Sequence, residues 1–408
     1  MASTPAATPV PKAEVRRLGA RWKTIAAAPP APHDREPAIG VAVGKSLLAH
    51  HRGTGWVASY DPCTRNWQAH EPIRRELTRS DVLVVDDTHV AFCCGPPDRS
   101  GLMFDVGRTK PSVIAAVPQT PNPGRRRRRL DHGFLTPTDK RFDTRTGQWT
   151  IIPFDDAIRE AVGQQDSAIG NGAHWVLTWG GRGSDPSTGK ARLYPGGALF
   201  DGRSNTWRLV SAAGAPGPSV AGVTVWTGQE MFIYGGQGQL ADGRFIARDD
   251  GGRYDPSTDR WTAVTSGPVL EGPIGGTVAG RTVLVWDAVR GGAFDLDRGS
   301  WREFGLPAKV PMQSRPFGHG RLAVVTRSEA FVLDPRTLRW GRSALPSSLH
   351  DRNQRVEVMT SSHLVVWGGE RIVSTGGCED PPPDVGCDPY TETKVAFDGA
   401  ALALGSCR

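Results

Sequence analysis

The sequence lacks long apolar runs and has little cysteine, methionine or tyrosine. No stretch approaches the roughly 18 apolar residues that a helix needs to span a bilayer, so no membrane span is predicted. The N-terminus, MASTPAATPVPKAEV, has no apolar segment of signal-peptide type, and its composition predicts a disordered tail over residues 1–18. We therefore expect a cytoplasmic protein, or an extracytoplasmic one if a leading targeting segment has been removed.

Several motifs that carry chemistry are also absent. The chain has neither a G-x-x-x-x-G-K phosphate loop nor a G-x-S-x-G nucleophile motif. His50, His51, Cys93, Cys94 and Asp287 include metal-ligand types, but no Cys-x-x-Cys or His-x-x-His spacing supports a metal site. We predict neither a metal nor another cofactor, and whether the protein is an enzyme stays open.

The positive charge of the chain is concentrated at one place. The formal net charge is +7, and one run of five arginines accounts for the difference between +7 and +2. This distribution argues against a general nucleic-acid binder. The run is interpreted as part of a solvated loop or, alternatively, as a site that captures an acidic partner. The run consists of Arg125, Arg126, Arg127, Arg128 and Arg129.

An internal repeat dominates the sequence. An aromatic residue or leucine is followed by Asp, a turn, and Trp six residues after the Asp. The aspartate predicts a turn because its side chain bonds to its own backbone, and the tryptophan predicts a strand that packs between sheets. The six copies are YDPCTRNW (60–67), FDTRTGQW (142–149), FDGRSNTW (200–207), YDPSTDRW (254–261), FDLDRGSW (294–301) and LDPRTLRW (333–340).

A second element precedes each unit: an apolar strand that often ends in Gly-Gly. Seven copies are recognised, and three of them, ending at Gly181, Gly236 and Gly369, keep both glycines. Together, the two elements resemble the kelch repeat of bacterial kelch-like proteins. The resemblance covers residues 19–408 and implies one all-β domain, a kelch-type β-propeller of four-stranded blades.

We expect seven blades, with eight as the alternative. The last blade lacks a Trp strand, and the segment around Trp22 is expected to supply it and close the ring. An eighth blade is indicated by GLMFDV around Phe104 and Asp105. Seven is preferred because eight would make the arginine run an inner strand, where its charges would repel one another.

Long insertions are predicted at one place in four blades, over residues 95–139, 182–196, 237–250 and 370–393. Loops on a rigid scaffold commonly carry binding residues, so these loops and the channel mouth form the predicted functional surface. Polar residues at the Gly-Gly positions, at the start of the insertions and before the inner strands are the ligand-binding candidates. They are His51, Arg52, Arg182, Gln237, Asp287, Arg315, His319, Arg327 and Glu370.

Three functions remain open for such a propeller. The first is a binding module, expected to be monomeric, for a protein, glycan or small-molecule ligand. The second is an enzyme of isomerase, cyclase or oxidase type that acts on a small molecule at the channel mouth, and the third is a structural scaffold domain. A disulfide between Cys378 and Cys387, which flank CEDPPPDVGC, would favour an oxidising compartment.

Overall fold

The computed structural model describes residues 10–28, 36–78, 80–94, 100–118, 128–136, 139–153, 155–162, 165–184, 189, 191–240, 242–272, 274–307, 317–318, 320–374 and 391–407. These residues form an all-β fold of β-propeller type, in which a small antiparallel sheet is repeated eight times. We number the sheets 1 to 8 in chain order. Two strands precede sheet 1 in the chain and join later sheets: β1 (Val15–Arg17) and β2 (Trp22–Ile25).

Sheets 1 to 4 have the following strands. Sheet 1 comprises β3 (Ile39–Val43), β4 (Ser46–His50), β5 (Val57–Asp61) and β6 (Asn66–Ala69). Sheet 2 comprises β7 (Asp81–Val84), β8 (His89–Cys93), β9 (Gly101–Asp105) and β10 (Ser112–Ile114). Sheet 3 comprises β11 (Arg128–Leu130), β12 (Gly133–Leu135), β13 (Lys140–Asp143) and β14 (Gln148–Ile151). Sheet 4 comprises β15 (Ala168–Gly172), β16 (Trp175–Trp179), β19 (Gly197–Asp201) and β20 (Thr206–Leu209), and the hairpin β17 (Arg182–Ser184) and β18 (Ala191–Leu193) lies between β16 and β19 in the chain.

Sheets 5 to 8 continue the pattern. Sheet 5 comprises β21 (Val223–Trp226), β22 (Met231–Tyr234), β25 (Gly251–Asp255) and β26 (Arg260–Val264), with an inserted hairpin of β23 (Gln237–Gln239) and β24 (Phe245–Ala247). Sheet 6 comprises β27 (Gly275–Ala279), β28 (Thr282–Trp286), β29 (Arg290–Asp295) and β30 (Ser300–Gly305). Sheet 7 comprises β31 (Phe317–Gly318), β32 (Leu322–Val325), β33 (Glu329–Asp334), β34 (Arg339–Ala344) and β1. Sheet 8 comprises β35 (Val356–Met359), β36 (His363–Trp367), β39 (Gly399–Ala403) and β2, with an inserted hairpin of β37 (Glu370–Ser374) and β38 (Thr391–Val395).

Helices are short in the described part of the chain. There is one α-helix, α1 (Asp156–Val162), and there are two 3-10 turns, Arg75–Leu77 and Ser347–Leu349. None of the described helices has the length and hydropathy required to cross a membrane.

The repeated Asp-to-Trp unit forms the turn between the third and fourth strands of a sheet. In sheet 5, Oδ1 of Asp255 accepts a hydrogen bond of 2.8 Å from the backbone N–H of Ser257. The Trp261 ring lies 4.8 Å from the Trp179 ring of sheet 4, and its Nε1 donates to the Ser211 carbonyl at 2.8 Å. The tryptophan therefore packs between neighbouring sheets and also satisfies its one polar atom.

The prediction of seven blades is wrong, because the described residues form eight sheets of four or five strands, besides the three inserted hairpins. The segment 95–139, interpreted as an insertion, instead contains the last two strands of sheet 2 and the first two strands of sheet 3. The turn after Phe104 does follow the repeat, since Oδ1 of Asp105 accepts a hydrogen bond from the backbone of Gly107 at 2.8 Å. Its fourth strand, β10, has no tryptophan, so a count of tryptophans misses this sheet.

The arginine run also differs from its prediction. Arg128 and Arg129 belong to β11, the inner strand of sheet 3, whereas Arg125, Arg126 and Arg127 lie outside the described residues. The predicted repulsion does not prevent Arg128 and Arg129 from lying in this strand, because successive side chains of a strand point to opposite faces. Arg128 is 6% exposed, so it is not part of a solvated loop.

The residues pack into two compact units. Unit 1 contains residues 1–18, 117–326 and 331–342, and so holds sheets 3 to 6 and most of sheet 7. Unit 2 contains residues 19–116, 327–330 and 343–408, and so holds sheets 1, 2 and 8. The single domain predicted for residues 19–408 stays a prediction.

The N-terminal strands are paired within their own units. In unit 2, β2 runs antiparallel to β39, with Trp22 opposite Leu402 and Ile25 opposite Gly399. In unit 1, β1, which lies in the segment predicted to be disordered, runs parallel to β34. Next to β1, Glu14 forms an ion pair with Arg339 at 2.7 Å. The prediction of a disordered tail over residues 1–18 otherwise stays a prediction, since residues 1–9 lie outside the described residues. The closure of a ring by β2 stays a prediction.

Candidate functional site

A cavity of about 990 Å³ lies within unit 2, between sheets 1 and 8. The chain before β3, the loop from β4 to β5, the start of β35 and the start of β37 surround it. Gly40 and Val356 lie at its floor, where the inner strands approach so closely that a Cβ on Gly40 would be 2.4 Å from Cγ1 of Val356. The polar side chains that line the cavity are Glu36, Arg52, Gln354, Arg355, Glu357 and Glu370.

Arg355 and Glu357 form the most buried charged pair of this cavity. Nη2 of Arg355 donates to Oε1 of Glu357 at 3.0 Å, and Nη1 donates to the Leu349 carbonyl at 2.9 Å. Burial raises the pKa of Glu357 to about 6, although the positive charge of Arg355 opposes the shift. A carboxyl group that changes charge near neutral pH inside a cavity is suited to ligand recognition or to general acid–base work.

The other lining residues have less buried positions. Oε1 of Glu370 accepts a hydrogen bond of 2.8 Å from Nε2 of Gln354. Arg52 is exposed. With Glu36, the cavity has three carboxyl groups and two guanidinium groups, so its charge is close to neutral and changes with the protonation of Glu357.

His51 supports the cavity without lining it. Its Nε2–H donates to the carbonyl of Glu36 at 2.8 Å, and its Nδ1 accepts from the backbone N–H of Thr54 at 3.2 Å. The ring therefore connects the chain before β3 to the loop that carries Arg52. Both ring nitrogens are used in these hydrogen bonds.

Three of the predicted site residues occupy equivalent positions. Arg182, Gln237 and Glu370 each follow a Gly-Gly pair, and each forms a backbone bridge to the chain before its sheet, with Gln165, Val220 and Asn353 respectively. The second glycine allows this bridge. At Gly236, φ is +82° and a Cβ would be 2.4 Å from the Val220 carbonyl.

The side chains at these positions have different partners. Arg182 forms an ion pair with Asp166 at 3.1 Å in unit 1, whereas Glu370 faces the cavity in unit 2. Asp287, in unit 1, is buried, and its Oδ1 accepts backbone hydrogen bonds from Val289 and Arg290 at 2.7 and 2.8 Å. Asp287 thus forms a tight turn where other sheets have an inserted hairpin.

Three further candidates, Arg315, His319 and Arg327, are not among the described residues that line the cavity. Arg327 is exposed, and its carbonyl accepts a hydrogen bond of 3.3 Å from Nη1 of the cavity residue Arg355. Arg315 and His319 lie outside the described residues. The structure therefore places Arg52 and Glu370 at one cavity, and the roles of the other candidates stay predictions.

Glu36, Gln354, Arg355 and Glu357 were not among the sequence candidates. One signal was available: Glu357 interrupts the apolar strand VEVM, where a charged residue requires a partner or a function. The others lie just before inner strands and follow no repeat pattern, so only the packing of sheet 1 against sheet 8 identifies them.

Two disulfides lie within the described residues, and neither involves the pair that was predicted. Cys63 of sheet 1 is bonded to Cys407, which follows sheet 8, and Cys93 is bonded to Cys94. The predicted pair of Cys378 and Cys387 lies outside the described residues. The sulfur atoms of Cys63 and Cys407 lie beside the His363 imidazole: one ligand atom from each of the three residues falls within 4.8 Å of the others.

Comparisons with known proteins leave the family open. Neither a scan of protein-family models nor a search of curated proteins finds a match to this chain.

Proposed function

We propose that the protein is a kelch-type β-propeller that binds a small polyhydroxylated ligand, such as a saccharide, in the cavity between sheets 1 and 8. The observation that carries the proposal is the cavity itself: about 990 Å³ in volume, formed by two inner strands and lined at its rim by carboxyl, guanidinium and amide groups. A concave site with a few convergent polar groups is typical of small-ligand binding.

The chemistry of the lining favours hydroxyl groups. Sugar hydroxyls donate hydrogen bonds to carboxylates such as Glu370 and accept them from guanidinium groups such as Arg52. A strongly anionic ligand would face three carboxyl groups, whereas a purely apolar ligand would leave those groups unpaired. The apolar floor around Ile39 and Val356 offers the surface on which a sugar ring packs.

The first experiment is a screen of a saccharide library by saturation-transfer NMR with the full chain, followed by calorimetry on the hits. We expect the Arg52→Ala and Glu370→Gln variants to bind about tenfold more weakly, since a hydrogen bond to a charged group contributes about 1.5–3 kcal/mol. The matched control is Arg260→Ala, which removes an exposed arginine in unit 1. Hits that bind all variants equally, or a library without hits, would contradict the proposal.

A second candidate function is catalysis in the same cavity. Glu357 favours it, because burial brings its pKa to about 6, close to the pH at which a general acid or base is most efficient. A hit that is converted by the wild-type chain but only bound by Glu357→Gln would establish the enzyme. A hit that is bound unchanged by both would leave a binding module.

A further inference from the structure

We infer that Cys63, Cys407 and His363 form a second site: a disulfide under oxidising conditions and a zinc-binding site after reduction. Two thiolates and one imidazole are a donor set that Zn²⁺ prefers, and a fourth position would be taken by water. One ligand atom from each residue lies within 4.8 Å of the others. The disulfide uses only the two cysteines, so it gives no reason for a histidine to lie beside them, whereas a zinc site does.

Contacts other than the disulfide also hold the three residues in place. Cys63 lies in the turn between β5 and β6, where its N–H donates to Oδ1 of Asp61 at 2.8 Å. His363 is the first residue of β36. The segment before Cys407 is held by hydrogen bonds from the backbone N–H groups of Leu404 and Gly405 to the Ser362 carbonyl, at 2.9 and 3.1 Å. We therefore expect both sulfur atoms to stay near the imidazole after reduction.

The geometry also provides a group that orients the imidazole. Oγ of Ser362 lies 2.8 Å from Nδ1 of His363 and 3.6 Å from Sγ of Cys63. A hydrogen bond on a ring nitrogen fixes the orientation of an imidazole that binds a metal. His363 is buried and Cys407 is exposed, so the site combines a fixed imidazole with access from solvent.

The chemical steps balance. A dithiol or phosphine reductant supplies two electrons, the disulfide bond breaks, and each sulfur takes a proton. Zinc then displaces the two thiol protons to solvent as the zinc–sulfur bonds form. In tetrahedral coordination the two sulfur atoms lie about 3.8 Å apart, given zinc–sulfur bonds of about 2.3 Å. The 5.6 Å between the Cα atoms allows this separation by rotation of the side chains. Either form of the site links sheet 1 to sheet 8.

The test uses the full chain, reduced with a phosphine and titrated with Zn²⁺ against a chromophoric chelator. We expect His363→Gln and Cys407→Ser each to weaken zinc binding about tenfold or more, since each removes one ligand. Co²⁺ in place of Zn²⁺ should give a thiolate charge-transfer band that both variants reduce. The oxidised chain should not bind the metal at this site.

The matched control is His89→Gln, which changes another histidine that begins a second strand, in sheet 2 and outside the cluster. It should bind zinc as the wild type does. His363→Gln keeps every cysteine, so it separates this site from zinc captured by the other thiols, and near-ultraviolet circular dichroism checks its fold. Equal zinc affinity and equal cobalt spectra in the wild type and His363→Gln would overturn the inference, as would no binding by the folded, reduced wild type.

Discussion

Nη2 of Arg355 donates a hydrogen bond of 3.0 Å to Oε1 of Glu357, across the single residue Val356. The two charges face the same side of β35 because side chains two residues apart on a strand share a face. The pair nevertheless leaves the pKa of Glu357 at about 6, since burial outweighs the attraction of the guanidinium. Glu357 is therefore the group in the cavity whose charge changes near neutral pH.

Ligand binding should depend on pH through this carboxyl group. A saccharide that donates a hydroxyl to ionised Glu357 should bind more tightly as the pH rises from 5 to 7, because the carboxyl loses its proton across this range. Calorimetry at several pH values would measure the change. Glu357→Gln should abolish the pH dependence, and a Gln variant with the wild-type profile would exclude Glu357 as its origin.

Acid should destabilise unit 2 through His50. The imidazole is 1% exposed, lies 5.0 Å from the Phe92 ring, and has no hydrogen-bond partner for either nitrogen among the described residues. Burial lowers its pKa to about 4. Protonation then favours the unfolded chain, so this contribution to stability is present above pH 6.5 and is lost as the pH falls towards 4.

The loss should be of the order of 3 kcal/mol, since one unit of pKa corresponds to about 1.4 kcal/mol. Urea unfolding at pH 7 and pH 4.5 would measure it. The His50→Phe variant should lose less stability between these two pH values than the wild type. His132→Asn, which changes an exposed histidine, should behave as the wild type does. An equal loss of unfolding free energy between pH 7 and pH 4.5 in all three proteins would show that His50 is not the cause.

The disulfide between Cys63 and Cys407 should make a large contribution to stability. It joins residues 344 positions apart, and loss of a disulfide that closes a long loop typically costs about 2–5 kcal/mol. Under oxidising conditions, Cys407→Ser should lower the thermal midpoint of unit 2. The control is Cys93→Ser with Cys94→Ser, because that bond joins adjacent residues and closes no long loop. A smaller effect from Cys407→Ser than from the control would contradict the prediction.

Gly40 should tolerate no side chain at the cavity floor. A Cβ there would lie 2.4 Å from Cγ1 of Val356, and overpacking of this kind costs about 1–3 kcal/mol. Gly40→Ala should therefore reduce both stability and ligand affinity. Adding Val356→Ala to this variant should restore part of the loss. Gly19→Ala is the control, because no atom lies within 4 Å of a Cβ at Gly19.

The sheets that carry the Asp-to-Trp repeat could be predicted from the sequence. Asp255 and Trp261 mark their turn and outer strand because the aspartate bonds to its own backbone and the ring packs between sheets. Sheets 2 and 3 were counted as one blade. The fourth strand of sheet 2, β10, has no tryptophan, and the inner strand of sheet 3 contains Arg128 and Arg129. Both strands are held by pairing with their neighbours more than by their own composition.

The candidate site was predicted only in part. Arg52 and Glu370 could be selected because they stand where other repeats have glycine or begin an insertion, and both line the cavity. Glu36 and Gln354 could not be selected, since they follow no repeat and lie together only because sheet 1 packs against sheet 8.

The sequence by itself determined the all-β repeat, the turn chemistry and the pairing-competent strand around Trp22, because these depend on short-range patterns that recur every blade. The tertiary structure alone decided the number of sheets, the partner of Cys63 and the residues that share the cavity. Each of these depends on contacts between residues far apart in the chain, as Cys63 and Cys407 are, and such contacts leave no periodic signal in a single sequence.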